Sequence, residues 1–167
     1  MKKENKKKIQ DALQTDFDKS VEAQEEMKEV LKKKKDNREK VRAFVATNYR
    51  PIAKLVKDIA TENATTMLDQ FRTVSNENEQ NGIDRVTKSY IRVEIITRGS
   101  ANGRLLAYLH FEGKQYEGTI EIIKNVANLT SQPDTLVATM PAENLSTDKI
   151  EDEITNFIAE YYTYKSK

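Results

Sequence analysis

The chain has 167 residues, enough for one domain or one domain with an appendage, and its mean hydropathy of -0.76 with 33% charged residues leaves much of it as solvated surface. It has no cysteine, which excludes a disulfide framework, zinc-thiolate sites, iron–sulfur clusters and cysteine nucleophiles. Net charge is only +1, but residues 1–50 carry 15 Lys/Arg against 10 Asp/Glu and the rest is mildly acidic, which is far from the basicity of a dedicated nucleic-acid-binding domain.

The N-terminus, Met1 to Lys8, is basic like the first part of a signal peptide, but no apolar segment follows it. No apolar run approaches the roughly 20 residues that span a bilayer. The expectation is a cytoplasmic protein with no membrane partner.

Residues 1–35 read as a helical arm. Ile9, Leu13, Phe17 and Val21, then Met27, Val30 and Leu31, recur at spacings of four and three among charges, on one side of a helix. The stripe is narrow, interrupted by Ser20, Gln24 and Lys28, and it does not sustain a strict heptad. A helix with so thin a stripe buries too little to be stable alone. Ile9, Leu13, Phe17, Val21, Met27 and Leu31 are therefore the expected protein interface, toward a partner or a second copy.

Lys32–Lys35 followed by Asp36-Asn37 reads as a break, with lysines on the dipole of one helix and Asp36 or Asn37 capping the next. From there residues 36–167 are expected to form one α+β domain. A broad stripe from Val41 and Phe44 through Ile52, Val56, Ala64, Met67 and Leu68 to Phe71 predicts a long helix over 38–73, kinked or restarted at Pro51. Residues 74–88 are polar and read as a linker.

Residues 89–140 predict three or four antiparallel strands in a meander. Tyr90–Ile95 alternates; Asn102-Gly103 is a hairpin signal. Leu105, Ala107, Leu109 and Phe111 form the next inward row, and Glu112-Gly113-Lys114 is expected to turn the chain. Tyr116, Gly118, Ile120 and Ile122 form a third row, and Leu136–Met140 a short fourth strand after a polar loop. Ser146, Thr147 or Asp148 can cap a final helix over 147–163, with Asp148 and Glu151 as a capping box. Its stripe of Ile150, Ile154, Phe157, Ile158 and Tyr161 is expected on one face of the sheet.

Little in the chain points to catalysis. His110 is the lone histidine and, by alternation, falls on the outer sheet face beside Tyr108, where a surface role accounts for it. Glu94, Glu117 and Glu121 are expected on that face with Arg92 and Thr119, as cross-strand charge pairs. Gly99 to Gly103 lacks both the Lys-Ser/Thr of a phosphate loop and the third glycine of a dinucleotide fingerprint, so it reads as a hairpin turn. No enzyme, metal, cofactor or small-molecule substrate is expected.

The reading reached is a non-enzymatic interaction or assembly module acting through the arm. The alternative is a nucleic-acid-binding accessory protein. It would use Lys32, Lys33, Lys34 and Lys35 on phosphates, and an outer sheet face presenting Tyr90, Arg92, Arg104 and Tyr108 for stacking.

Overall fold

In a computed structural model, the described residues are 2–67, 69–76, 89–99, 103–126 and 134–167. The order is helix α1 (Lys3–Glu62), strands β1 (Asp69–Asn76), β2 (Tyr90–Thr97), β3 (Leu105–Lys114), β4 (Thr119–Asn125) and β5 (Thr135–Pro141), a single 3-10 turn at Ala142–Asn144, and helix α2 (Thr147–Lys165). The strands form one antiparallel meander in sequence order. The α+β class holds, with five strands where three or four were expected.

Period-2 alternation divides the sheet into two faces. Ile91, Val93 and Ile95 of β2, Ala107, Leu109 and Phe111 of β3, and Ile120 and Ile122 of β4 point inward and are fully buried. Both helices lie across this face. Helix α1 contributes Val41, Phe44, Val45, Ile52 and Val56, and α2 contributes Ile150, Ile154, Phe157 and Tyr161. Phe44 meets Phe111 with ring centroids 6.5 Å apart. Among the described residues no core residue precedes Val41, so the folded body begins there.

Helix α1 is a single element of 60 residues, and no break occurs at Lys32–Asn37. The four lysines are good helix formers and nothing between Lys3 and Glu62 is glycine. Asn37 does not cap a second helix because its side-chain amide is engaged elsewhere, donating to the Tyr116 carbonyl at 2.8 Å. An Asn competes with the helix only when its side chain is left to bond its own backbone. Pro51 sits inside α1 and starts no new helix.

The C-terminal limit of α1 also differs from the expected 38–73. The helix ends at Glu62, and Asn63 closes it by donating from both its backbone and its side chain to the Ile59 carbonyl. Met67 is buried beyond that end, Leu68 lies outside the described residues, and Phe71 belongs to β1. Val74–Asn76, read as linker, complete that strand, whereas residues 77–88 lie outside the described set.

A second correction concerns Gly113. It does not turn the chain. It stays inside β3, and the turn falls at residues 115–118, where Gly118 takes φ +69°. Tyr116 is consequently exposed in that turn and not part of an inward row. A Cβ on Gly113 would stand 2.1 Å from Val41 Cγ1, so the missing side chain lets α1 lie directly on the strand.

Helix α2 begins at Ser146, whose hydroxyl accepts from the Lys149 N–H at 3.2 Å, so the cap is Ser146 and not Asp148. Its far end is tied to the sheet. Lys165 pairs with Asp69 at 2.6 Å, the Tyr161 hydroxyl donates to the same carboxylate at 3.2 Å, and Lys124 pairs with Glu160. No helix among the described residues is long and apolar enough to cross a membrane.

Candidate functional site: an unpartnered helical arm

Every residue from Lys2 to Asp36 is exposed, so the first 34 residues of α1 project beyond the body for about 50 Å at 1.5 Å per residue. Along this arm Ile9, Leu13, Phe17, Val21, Met27, Val30 and Leu31 are each 37–64% exposed. All six expected interface residues are therefore on the surface, and none of them packs on the chain's own body.

The direction of the stripe is set by the helix period. Eighteen residues make about five turns, so Ile9, Met27 and the fully buried Val45 lie on one line along α1. Ala23 shares a line with Val41 in the same way, and Leu13 with Leu31. At 100° per residue Ile9, Leu13, Met27, Val30 and Leu31 thus stay within about 60° of the Val45 line and continue the core-facing side of α1, whereas Phe17 and Val21 turn about 80° and 120° away from it.

A clamp on the β3–β4 turn fixes the root of the arm. Lys34 Nζ and the Arg38 guanidinium stand 5.4 Å and 5.7 Å from the centre of the Tyr116 ring. Between them Asn37 bonds the Tyr116 carbonyl, and Gly118 provides the room: a Cβ there would come within 2.9 Å of Asn37 Oδ1. About a turn further along α1, Lys40 reaches Glu143 at 3.5 Å. Sequence reasoning gave Asn37 to a helix cap and Tyr116 and Gly118 to an inward row, and so missed the clamp they form. The glycine within the β3 alternation, Gly113, was the available signal of a close backbone approach at this end.

The second set of expected site residues divides. Tyr90, Arg92 and Tyr108 do meet on the outer sheet face, around His110. The Arg92 guanidinium stands 4.6 Å from the Tyr108 ring centre and 5.7 Å from that of Tyr90. Its Nε–H donates to His110 Nδ1 at 3.0 Å, and Tyr90 lies against the imidazole with centroids 4.8 Å apart. Because Nδ1 accepts from Arg92, the ring proton sits on Nε2, which faces Glu112 Oε2 at 3.1 Å.

His110 is only 6% exposed, contrary to the surface role expected for it. Burial comes from the flat side chains set around it on the pleat, so alternation identified the face but not the packing on it. Glu94 is likewise buried, held by Arg72 through Nε at 2.7 Å and approached by Arg92 Nη1 at 3.8 Å. Glu121 and Thr119 share the face, whereas Glu117 sits in the exposed turn.

Arg104 lies apart from this set. Its N–H donates to Thr97 Oγ1 at the opposite end of β2 from Tyr90, about 23 Å away at 3.3 Å per residue. Lys32–Lys35 belong to α1, on the other side of the sheet. Tyr108 donates to Asp134, which also accepts from Asn125 Nδ2 at 3.2 Å.

Burial, with the hydrogen bond and charge of Asp134, pushes the Tyr108 hydroxyl up from 10.0 to about 12, while Arg92 opposes the shift. Burial and Asp69 raise Tyr161 in the same direction. A tyrosine held protonated in the fold contributes stability that is complete below the unfolded value near 10 and is lost as pH rises through the folded value. Thermal stability is expected to fall between pH 10 and about 12, and Tyr108→Phe to flatten part of that fall. An identical alkaline profile in the variant would remove Tyr108 from this role.

A groove of about 420 Å³ lies where Ala60 and Met67 meet Phe71 and Arg98, but Asp69, the one carboxylate among the described residues that line it, is already paired with Lys165 and Tyr161. Comparison of the chain with protein-family models, with curated proteins and with solved structures finds no match.

Proposed function

We propose that the protein is a non-enzymatic interaction or assembly module whose working part is the arm. One observation carries the reading: an apolar stripe about 33 Å long, from Ile9 to Leu31, lies exposed along the arm, with Ile9, Leu13, Met27, Val30 and Leu31 on the core-facing side of α1. Fully burying an aliphatic or aromatic side chain is worth about 1.5–3 kcal/mol, and these seven are roughly half exposed. Covering them supplies several kcal/mol that the body alone leaves unused.

Removing residues 1–35 tests the proposal, because the core begins at Val41. The truncated chain is expected to melt cooperatively near the temperature of the full chain while losing self-association and partner capture. Unchanged mass and unchanged capture would refute the proposal.

The nucleic-acid alternative draws on Lys32, Lys33 and Lys35, which are exposed on α1. Arg92 and Tyr108 are engaged with His110, Glu94 and Asp134, which leaves them poorly placed to stack bases. Salt separates the two readings, since phosphate contacts weaken steeply as salt rises.

A further inference from the structure

We infer that the outer edge of β1 takes up an extended, acidic and apolar segment of another polypeptide as a sixth strand beneath α1. This surface is separate from the arm, so the two readings stand or fall independently.

The sheet ends at β1, and among the described residues nothing pairs with its other side. Such an edge leaves an N–H and a C=O unpaired on every second residue, a template that another extended chain satisfies along its whole length. Folds ordinarily blunt an edge with a proline, a bulge or an inward charge. Strand β1 has no proline, and it pairs with β2 over eight residues without a shift in register. Its inward charge, Asp69, stands at the first position and is taken by Lys165 and Tyr161. The opposite edge is blunted: β5 stops at Pro141 and lies beside a register shift at Ile122 and Ile123.

Room for the extra strand comes from α1, which reaches past β1. At 100° per residue Ala60 and Ala53 stand about 60° and 80° round the helix from the Val45 line, on one side. Both line the groove of about 420 Å³ beside β1. Their side chains end at a methyl, so the helix overhangs without filling the space below it. From the sheet, Phe71 lines the same groove half-buried, although its cross-strand partner Ile95 is fully buried. The inward apolar row therefore continues to the edge and is open there. A sixth strand would set every second side chain in this space, and an apolar one would complete the row.

Charge selects the flanks. Lys57 and Arg98 also line the groove, and both are exposed. Arg98 Nη1 donates to the Met67 carbonyl at 3.1 Å, which leaves further donors of the guanidinium fork. With Asp69 paired, the groove is cationic. Carboxylates two positions to either side of the apolar residue share its strand face and match that charge. The β1 of a second copy does not fit. Two copies paired antiparallel edge to edge would carry both α1 helices on one side of the joined sheet, each overhanging the seam, where helices need about 8–10 Å between axes.

The test uses the full-length protein and capped seven-residue peptides in which threonine alternates with glutamate, phenylalanine and glutamate. This peptide is expected to bind and to slow hydrogen exchange at alternate amides of β1 while β3 stays unchanged. Exchanging both glutamates for lysine, or methylating the backbone nitrogens that face β1, is expected to weaken binding at least about tenfold. In the protein, Ala60→Leu fills the groove and is expected to abolish binding. Lys57→Glu, at an exposed position, is expected to weaken binding at least about tenfold with an unchanged melting temperature.

No binding at about 1 mM peptide would overturn the inference. So would equal binding of the methylated peptide, which would make the groove a pocket for an isolated side chain, or equal binding of the lysine peptide. Protection of β1 that rises with protein concentration in the absence of peptide would give the edge to a second copy instead. Removal of residues 1–35 is expected to leave peptide binding unchanged, which separates this surface from the arm.

Discussion

Gly113→Ala is expected to destabilise the protein by about 3 kcal/mol or more, toward the upper end of what overpacking costs. The new methyl would stand 2.1 Å from Val41 Cγ1 and 3.1 Å from the Ser89 carbonyl, which accepts the Gly113 N–H at 2.8 Å. Neither neighbour yields easily. Val41 is fully buried on a helix held by the clamp a turn earlier, and Ser89 is buried immediately before β2. In a body of this size the melting temperature is expected to drop by about 10 °C. Val41→Ala in the same chain removes the clashing methyl, so the double variant is expected to be at least about 1 kcal/mol better than the sum of the single changes. Additive losses in denaturant unfolding would mean that Gly113 is not where α1 meets the sheet.

The second large effect separates association from stability. Leu13→Asp with Phe17→Asp changes two residues that are 64% and 62% exposed, so unfolding of the body is expected to move by no more than about 0.5 kcal/mol. Association through the arm, measured by sedimentation, is expected to weaken at least about 100-fold, the equivalent of 2.7 kcal/mol, because each carboxylate would have to be desolvated in an apolar seam. A loss of body stability comparable to a core substitution would place the stripe on the chain's own domain. A dissociation constant within threefold of the parent would remove the arm from the interface.

How much of this was legible depended on which physical signal each element carried. Strand β2 and helix α2 were readable because a buried face imposes a strict period, as with Ile91, Val93 and Ile95 or Ile150, Ile154 and Phe157. Strand β1 was not, because an edge strand turns only Phe71 inward as a large apolar residue and otherwise shows Thr73 and Ser75. Its one aromatic fell in phase with the preceding helix and extended that helix on paper.

Gly113 and Asn37 misled for a common reason. Glycine in a strand and asparagine in a helix are ordinarily local signals, of a turn and a cap. Here both serve a contact between elements far apart in sequence, Val41 on Gly113 and Asn37 on Tyr116. The arm's stripe was legible as a stripe, but its alignment with Val45 was hidden by the supposed break at Lys32–Lys35. The outer-face cluster was legible as a set of side chains, not as the packed arrangement that buries His110 and Glu94. The hairpin at Asn102 and the loop at 127–133 lie outside the described residues.

The central claim is that the arm is ordered by another molecule and not by its own body. Hydrogen exchange of the amides from Ile9 to Leu31, compared between the lone chain and its assembled form, tests it most directly, since protection reports the free energy of local opening. Protection in this segment is predicted to rise on assembly, while protection of β2, β3 and α2 stays constant. Strong protection from Ile9 to Leu31 already present in a particle with the mass of one chain would contradict it.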